Sequence, residues 1–296
     1  MNKRLKFRFV ILIVLFFVAV FSLYVAFREE RSGILTVAFL NIGQGDSIFI
    51  EAPNGNQILI DGGPGKSVLR ELSKVMPFYD RSIDVVLATH ADQDHIGGLP
   101  DVLDKYKVAI FMETGVAGGS SSYKELEKIV AEKSQGLPLG NFEGEALKKI
   151  LARRDMVIDL GDGAILEILF PDRDPTGMET NASSVIARLV YGENEFMFTG
   201  DSPKSIEQYL VSYQGESLVA DVLKAGHHGS KTSSSEFFVA AVSPEYAVIS
   251  AGKDNRYKHP NQEVLDIFND FGAKILRTDQ DGRIVFKSDG VELKVK

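Results

Sequence analysis

The chain has 296 residues and five histidines, His90, His95, His227, His228 and His259. Each stands beside the end of an apolar run or in a loop rich in Gly, Ser or Pro, and none falls inside an apolar helical pattern. The densest group is Thr89-His90-Ala91-Asp92-Gln93-Asp94-His95-Ile96-Gly97-Gly98. His90, Asp92, Asp94 and His95 put four metal-capable side chains into six residues. Capping of a helix N-terminus explains Asp94 alone, whereas a bound cation explains all four. The sequence holds no cysteine. That excludes disulfides, thiolate zinc sites and a cysteine nucleophile, so any metal must be held by His, Asp, Glu, Asn or backbone oxygen.

These groups need elements to carry them. ILTVAFLNI leads through Gly43-Gln44-Gly45-Asp46 into SIFIEA, and the turn Pro53-Asn54-Gly55-Asn56 then joins SIFIEA to QILIDGG. Apolar runs around an Asn-Gly turn predict a hairpin. SVLRELSKVM reads as a helix, and IDVVLATH as a buried strand ending on His90. A helix is expected from near Ile96 and a short one over residues 100–106. Residues 113–160 carry the weakest pattern: a Gly/Ser loop at 115–122, then charged helical segments near 122–134 and 143–154, expected to form a lid or surface insertion. From Ala164 onward AILEILF, SVIARLVY, EFMFTGD, VADVLKAG, EYAVISAG, AKILRT and RIVFKS read as strands. The helical stretches SPKSIEQYLV and NQEVLDIFNDFG lie between them. Such alternation predicts a layered α/β domain.

Phe9 to Phe27 is nineteen residues without a charge. As a helix it would be about 28 Å long, the thickness of a bilayer's hydrocarbon core. Lys3, Arg4, Lys6 and Arg8 precede it without an acid. The positive-inside bias then makes residues 1–8 a cytoplasmic tail, 9–27 a transmembrane anchor, 28–33 a linker and 34–296 an extracytoplasmic body. A cleaved signal peptide has a shorter apolar region and a small-x-small site, which Phe27-Arg28 does not offer. The formal net charge is -8, and without the basic tail the body is more acidic still. An acidic body is a poor non-specific binder of nucleic acid, which requires clustered Lys and Arg.

The H-x-D-x-D-H run after a hydrophobic strand resembles the metallo-β-lactamase signature H-x-H-x-D-H, with Asp92 in place of its middle histidine. FLNIGQGDSIFIEAPNGNQILIDGG, THADQDHIGG, NASSVIARLVY, FMFTGD, VLKAGHHGSKTSS and NRYKHP follow in order. The series resembles the extracytoplasmic hydrolase domain of the ComEC family of competence DNA-uptake proteins, and it covers residues 34–296.

The resemblance implies a four-layer αββα sandwich with two divalent metal ions at one edge. His90 and Asp92 would hold one ion, Asp94 and His95 the other, and Asp201 would bridge both. Asp61 would orient a ligand histidine from behind. Asn181 stands where many members of the superfamily have a histidine for the first metal. The last ligand falls to His228 by preference, with His227 and His259 as alternatives. His227 or His259 would serve catalysis. Ser230, Lys231 and Thr232 either contact an anion or cap a helix beginning near Ser234, and Lys258 replaces a common glycine.

Three carboxylates and an amide make the ligand set oxygen-rich, which suits Mn²⁺, while Zn²⁺ also accepts carboxylates. The implied activity is phosphodiester or nucleic-acid hydrolysis by metal-activated water. Hydrolysis of a phosphorylcholine-type envelope ester and a catalytically silent binding module are the alternatives. The implied partners are a phosphoester substrate such as DNA, the membrane, and a separate channel protein.

Overall fold

The computed structural model describes residues 3–31, 33–136 and 146–296. The first helix, α1 (Lys3–Arg31), carries its charged residues at its two ends with an apolar run between them, and no part of its Lys6–Val25 stretch is buried against the body. It is long and apolar enough to cross a membrane.

Strands β1 (Leu35–Phe39), β2 (Ile48–Glu51), β3 (Gln57–Ile60), β4 (Ser82–Leu87), β5 (Lys107–Glu113) and β6 (Lys148–Leu151) build one sheet. Strands β7 (Val157–Gly161), β8 (Ala164–Phe170), β9 (Ile186–Tyr191), β10 (Asn194–Phe198), β11 (Val222–Lys224), β12 (Tyr246–Ile249) and β13 (Lys274–Arg277) build a second. The chain then returns to the first sheet with β14 (Ile284–Ser288), paired with β1, and β15 (Leu293–Val295). In the first sheet, β1 to β3 run antiparallel, and β3 to β6 run parallel. In the second, β10 to β13 run parallel.

Side-chain alternation explains why the sheets stack. Val37, Phe39, Ile48, Ile50, Ile58 and Ile60 face a shared core with Leu166, Ala187, Leu189, Phe196, Phe198 and Phe286. The rings of Phe39, Phe196, Phe198 and Phe286 touch across it, with centroids 5.7–6.4 Å apart. Each fully buried ring of this kind contributes about 1.5–3 kcal/mol relative to exposure.

The alternate residues are apolar too, so both sheets are covered on their outer faces. Ala38, Phe49, Leu59 and Val86 pack beneath α2 (Ser67–Val75), the single turn α3 (Gln93–Ile96), α4 (Leu99–Lys105) and α5 (Ser121–Ser134). Met197, Leu223, Ala247 and Ile249 pack beneath α6 (Lys204–Gln214), α7 (Glu236–Val242) and α8 (Gln262–Asp270). The result is the helix–sheet–sheet–helix sandwich expected from the sequence.

Three expectations change. Part of the expected 143–154 helix is the edge strand β6, parallel to β5, with residues 143–145 outside the described residues. Its lysines take exposed positions, while Leu147 and Ala152 anchor its two ends in the cores on either side of the sheet. A charged edge strand resists pairing with other chains, and its lysines imitate a helix surface in sequence. The expected lid is also replaced: α5 buries Leu126 and Val130 in the first sheet's outer core, so its described residues belong to the scaffold. Finally, helix formation after His90 begins at Gln93, before Ile96, in the single turn α3.

Candidate metal centre

The parallel strands end at the same edge of the sandwich, and the polar groups gather there. Asp61 follows β3 directly, and His90 lies three residues beyond β4. Asp201 lies three residues beyond β10, and His227 and His228 follow β11 after Ala225-Gly226. Both histidines take the left-handed conformation, at φ 48° and 55°. Such a turn reverses the chain tightly enough to present two consecutive imidazoles at one edge.

Asp201 is the common contact. Its Oδ1 lies 3.2 Å from His95 Nε2. Its Oδ2 lies 3.5 Å from His228 Nε2, 3.6 Å from His227 Nε2 and 3.9 Å from His90 Nε2. Asp94 Oδ2 is 3.3 Å from His228 Nε2, and Asp92 Oδ2 is 3.9 Å from His90 Nε2. Asp92 is 41% exposed, against 3% for Asp201, so the pocket opens on the Asp92 side.

The imidazoles form a continuous row. Ring centroids are 4.0 Å apart for His90 and His95, 5.2 Å for His95 and His228, 6.0 Å for His228 and His227, and 5.6 Å for His227 and His259. All five histidines therefore converge. Asn181 opens the short turn Asn181–Ser183, and Ser184 just beyond it accepts the Asp201 backbone N–H at 3.2 Å. The Asn181 amide oxygen itself accepts from the Thr180 hydroxyl, at 3.4 Å. Asn255 pins His259: its Oδ1 accepts the His259 N–H at 3.0 Å, and its Nδ2 donates to the His259 carbonyl at 2.6 Å. Ser230 and Thr232 share a hydroxyl hydrogen bond of 3.0 Å. Lys258 holds a left-handed φ of 58°, the conformation that favours glycine.

Hydrogen bonding fixes which nitrogen each ring turns inward. His95 Nδ1 is 2.8 Å from Asp61 Oδ2, and His228 Nδ1 is 3.0 Å from the Ser250 carbonyl. Neither oxygen can donate, so both rings carry Nδ1–H and leave the Nε2 lone pair inward. The Thr89 hydroxyl donates to Asp61 Oδ2 at 2.6 Å and is left to accept from His90 Nδ1, 3.0 Å away. His227 Nδ1 meets the Thr232 hydroxyl at 3.1 Å.

The inward atoms are the ones left over. Nε2 of His90, His95 and His228, with Oδ1 of Asp201, are buried without a hydrogen-bond partner. A buried polar atom without a partner costs about 1–3 kcal/mol. Several aimed at one spot are what a cation requires. Ligand atoms of Asp46, His95, Asp201 and His228 all lie within 4.8 Å of one another.

The electrostatics agree. Burial opposes a charge on His228, but Asp201 and Asp46 outweigh it and raise its pKa to about 9. His95 is likewise raised well above its ordinary value against burial, by Asp201 and Asp61. Burial raises the Asp94 carboxyl, but its hydrogen bond to His228 and the charge on His95 bring it down to about 2. His90, buried and repelled by His95, falls to about 3. Burial also lowers His227, and it lowers His259 with help from His227. The carboxylate field thus draws protons into the positions where a metal ion would compete for them.

Two contributors carried no assigned role in the sequence reading. Asp46, buried in the Gly-Gln-Gly-Asp loop, lies 3.3 Å from His228 and 3.8 Å from His95. Lys224, buried at the end of β11, pairs with Asp46. Their signals were a lysine inside an apolar strand and an acid directly before one.

Comparison with known proteins gives the same picture. The chain is 34% identical over 268 residues to ComE operon protein 3 of Bacillus subtilis (strain 168), covering 85% of this chain and 33% of that protein. It is 30% identical to competence protein ComA of Neisseria gonorrhoeae over 89% of this chain and 34% of that one. Recombination protein 2 of Haemophilus influenzae is 28% identical over 90% of this chain and 31% of its own length. The chain therefore spans about a third of the length of these competence proteins. Among solved structures, Igni18, a metallo hydrolase from Ignicoccus hospitalis, superposes with a TM-score of 0.53 at 15% identity, over 85% of this chain and 98% of that one. CmlA, a diiron beta-hydroxylase from Streptomyces venezuelae, superposes with a TM-score of 0.51 at 15% identity, over 85% of this chain and 53% of that one. The profile of the Metallo-beta-lactamase superfamily matches residues 40–253, nearly three-quarters of the sequence, and spans the loops from Asp46 to His228. With the two-sheet sandwich in place around those loops, the chain belongs to the metallo-β-lactamase superfamily.

Proposed function

We propose that this protein is a membrane-anchored hydrolase that cleaves a phosphodiester with the help of two divalent cations, Mn²⁺ or Zn²⁺. The observation that carries the reading is the set of inward, partnerless Nε2 atoms on His90, His95 and His228, each ring tied outward through Nδ1. His90 and Asp92 would hold one ion, with Asn181 in the place where many members of the superfamily have a histidine for it, and Asp94, His95 and His228 the other. Asp201, within 3.9 Å of both groups, would serve the two together. Asp61 orients His95. Asp46, Asp61, Asp92, Asp94 and Asp201 bring five negative charges and Lys224 one positive, an excess of four that two divalent ions neutralise.

Bound there, the cations would supply an activated water and offset charge on the phosphoryl oxygens. The protein's own part is proton handling and positioning. Burial lowers both His227 and His259, so each holds a proton less firmly than a free imidazole and gives it up more readily to a leaving alkoxide. Asn255 holds the His259 backbone, and Thr232 holds the His227 ring.

Residues 1–8 form a cytoplasmic tail in this reading, 9–27 a single-pass anchor in the cell membrane, 28–33 a linker and 34–296 the extracytoplasmic hydrolase domain. DNA would be the substrate, in keeping with the competence and recombination names of the relatives, and a separate channel protein would be a partner.

The test uses the full chain in detergent with Mn²⁺ or Zn²⁺, offered bis-p-nitrophenyl phosphate, single-stranded DNA and a phosphocholine ester. Turnover of the diester and DNA, lost in Asp94→Ala, is expected. No turnover with either ion, or undiminished turnover in Asp94→Ala, refutes the reading. Selective turnover of the phosphocholine ester replaces the substrate but keeps the chemistry.

A further inference from the structure

Asp46 and Lys224 lie at the centre of the site, and the ligand assignment above does not use them. Lys224 is 1% exposed, and it is the only buried lysine or arginine among the described residues. Its ammonium contacts Asp46 Oδ2 directly and lies 3.4 Å from the Gly200 carbonyl oxygen, one residue before Asp201. A close carboxylate offsets part of the cost of burying a lysine's charge.

The direction of approach separates Asp46 from the other carboxylates. Asp94 and Asp201 face the Nε2 atoms of the histidines. Asp46 faces the Nδ1 atoms: Oδ1 is 3.3 Å from His228 Nδ1, and Oδ2 is 3.8 Å from His95 Nδ1. Its loop is fastened to the ligand turn as well, because the Asp46 N–H donates to the Asp94 carbonyl at 3.2 Å. Asp46 therefore stands behind two imidazoles whose other nitrogens point at the cation position.

We propose that Asp46 and Lys224 form a buried positioning pair that holds His95 and His228 with Nε2 toward Asp201, and that Asp46 is not a metal ligand. Its inclusion in the tight ligand-capable group follows from the width of an imidazole, which brings the carboxylate near both nitrogens. Lys224 reinforces the arrangement by engaging Asp46 Oδ2, leaving Oδ1 to His228. It also links β11, which carries His228, to the loop ahead of β2. The inference rests on the metal-hydrolase reading above but assigns residues that reading leaves idle.

The test compares the full chain with the double variant Asp46→Asn/Lys224→Met, which removes both charges together and leaves neither buried alone. Bound Zn²⁺ is counted by elemental analysis, and affinity is measured by competition with a chelator. The expected result is an unchanged number of ions with affinity lowered about 10–100-fold, the usual effect of losing a group behind a ligand. Loss of one ion, with the rest bound as before, makes Asp46 a ligand and overturns the proposal. Unchanged number and affinity overturn it too.

A measurement on the parent chain does not depend on the variant folding. Nitrogen–proton spectra of the Zn²⁺-loaded protein should show Nε2 ligation with Nδ1–H on His95 and His228, and Nδ1 ligation of either refutes the inference. If the parent binds no ion, the hydrolase reading fails instead. Metal-free spectra then decide this proposal, by whether the Nδ1–H signals of His95 and His228 shift in the double variant; unshifted signals refute it.

Discussion

Replacing Asp61 by asparagine changes one atom in the bonding that orients the site. The position holds a left-handed φ of 60°, which asparagine tolerates as readily as aspartate. The Thr89 N–H keeps its acceptor, because Asp61 Oδ1 receives it at 2.8 Å and the amide oxygen can occupy that place. The amide NH₂ then falls on the Oδ2 side, where the Thr89 hydroxyl at 2.6 Å can rotate to accept it. His95 Nδ1, at 2.8 Å, cannot keep its proton against a second donor. The ring must carry its proton on Nε2, the nitrogen turned toward Asp201.

A hydrogen bond to a charged group contributes roughly 1.5–3 kcal/mol. Groups behind ligand histidines usually govern about 10–100-fold of metal affinity, which is about 1.4–2.8 kcal/mol, so the two scales agree. We expect Asp61→Asn to weaken Zn²⁺ binding by about 10–100-fold and, because the lost bond also stabilises the metal-free fold, to lower the metal-free melting temperature. Chelator competition measures the first and a thermal melt the second. Affinity within about threefold of the parent would mean that His95 is not held by Asp61, and the tautomer argument would fail.

Three further outcomes follow from the same geometry. His228, raised to about 9 from 6.5, keeps a proton in the metal-free chain that a cation must displace, so apparent affinity should climb with pH and level off above about 9; titrations giving one affinity from about pH 6 to about pH 9 contradict this. Its raised value also stabilises the metal-free fold fully below about 6.5, a contribution lost as pH rises through about 9, so melts without metal should show a declining midpoint over that window. Gly45→Ala places a Cβ against the Asp94 carbonyl oxygen at a φ of 125°, so it should displace the ligand turn, weaken metal binding and lower the melting temperature; an unaltered melt and metal affinity exclude that close approach. His227→Ala and His259→Ala should lower kcat by about 10²–10⁴-fold with both ions retained, and loss of an ion in either variant would move that histidine into the ligand set.

Much of the fold was legible because both sheets are apolar on both faces. VAFL, ILI, VVLA and FMF are continuous apolar runs that a covered sheet accommodates, and each leads into a loop of the site. The ligand turn was equally plain, since four polar groups in six residues have few other uses. The β6 segment was not, because an edge strand bearing Lys148 and Lys149 has the charge pattern of a helix surface. Nor was Asp46: whether an acid lies before or behind a histidine depends on which ring nitrogen it meets, and spacing carries no trace of that. Lys258 falls between these cases, since the departure from glycine was visible and the left-handed turn it must adopt was not.

The centre draws on both halves of the sandwich. Asp61 and His90 to His95 leave strands of the first sheet, while Asp201 and His228 leave strands of the second. A cation seated among them acts as a rivet, because the sheets cannot part at that edge without releasing it. Ligand held only by the assembled state adds roughly 2.7 kcal/mol at a hundredfold excess over Kd. Chelation should therefore loosen the seam between the sheets, raising amide exchange in β3, β4, β10 and β11 together while leaving the far edge strands β13 and β15 unchanged.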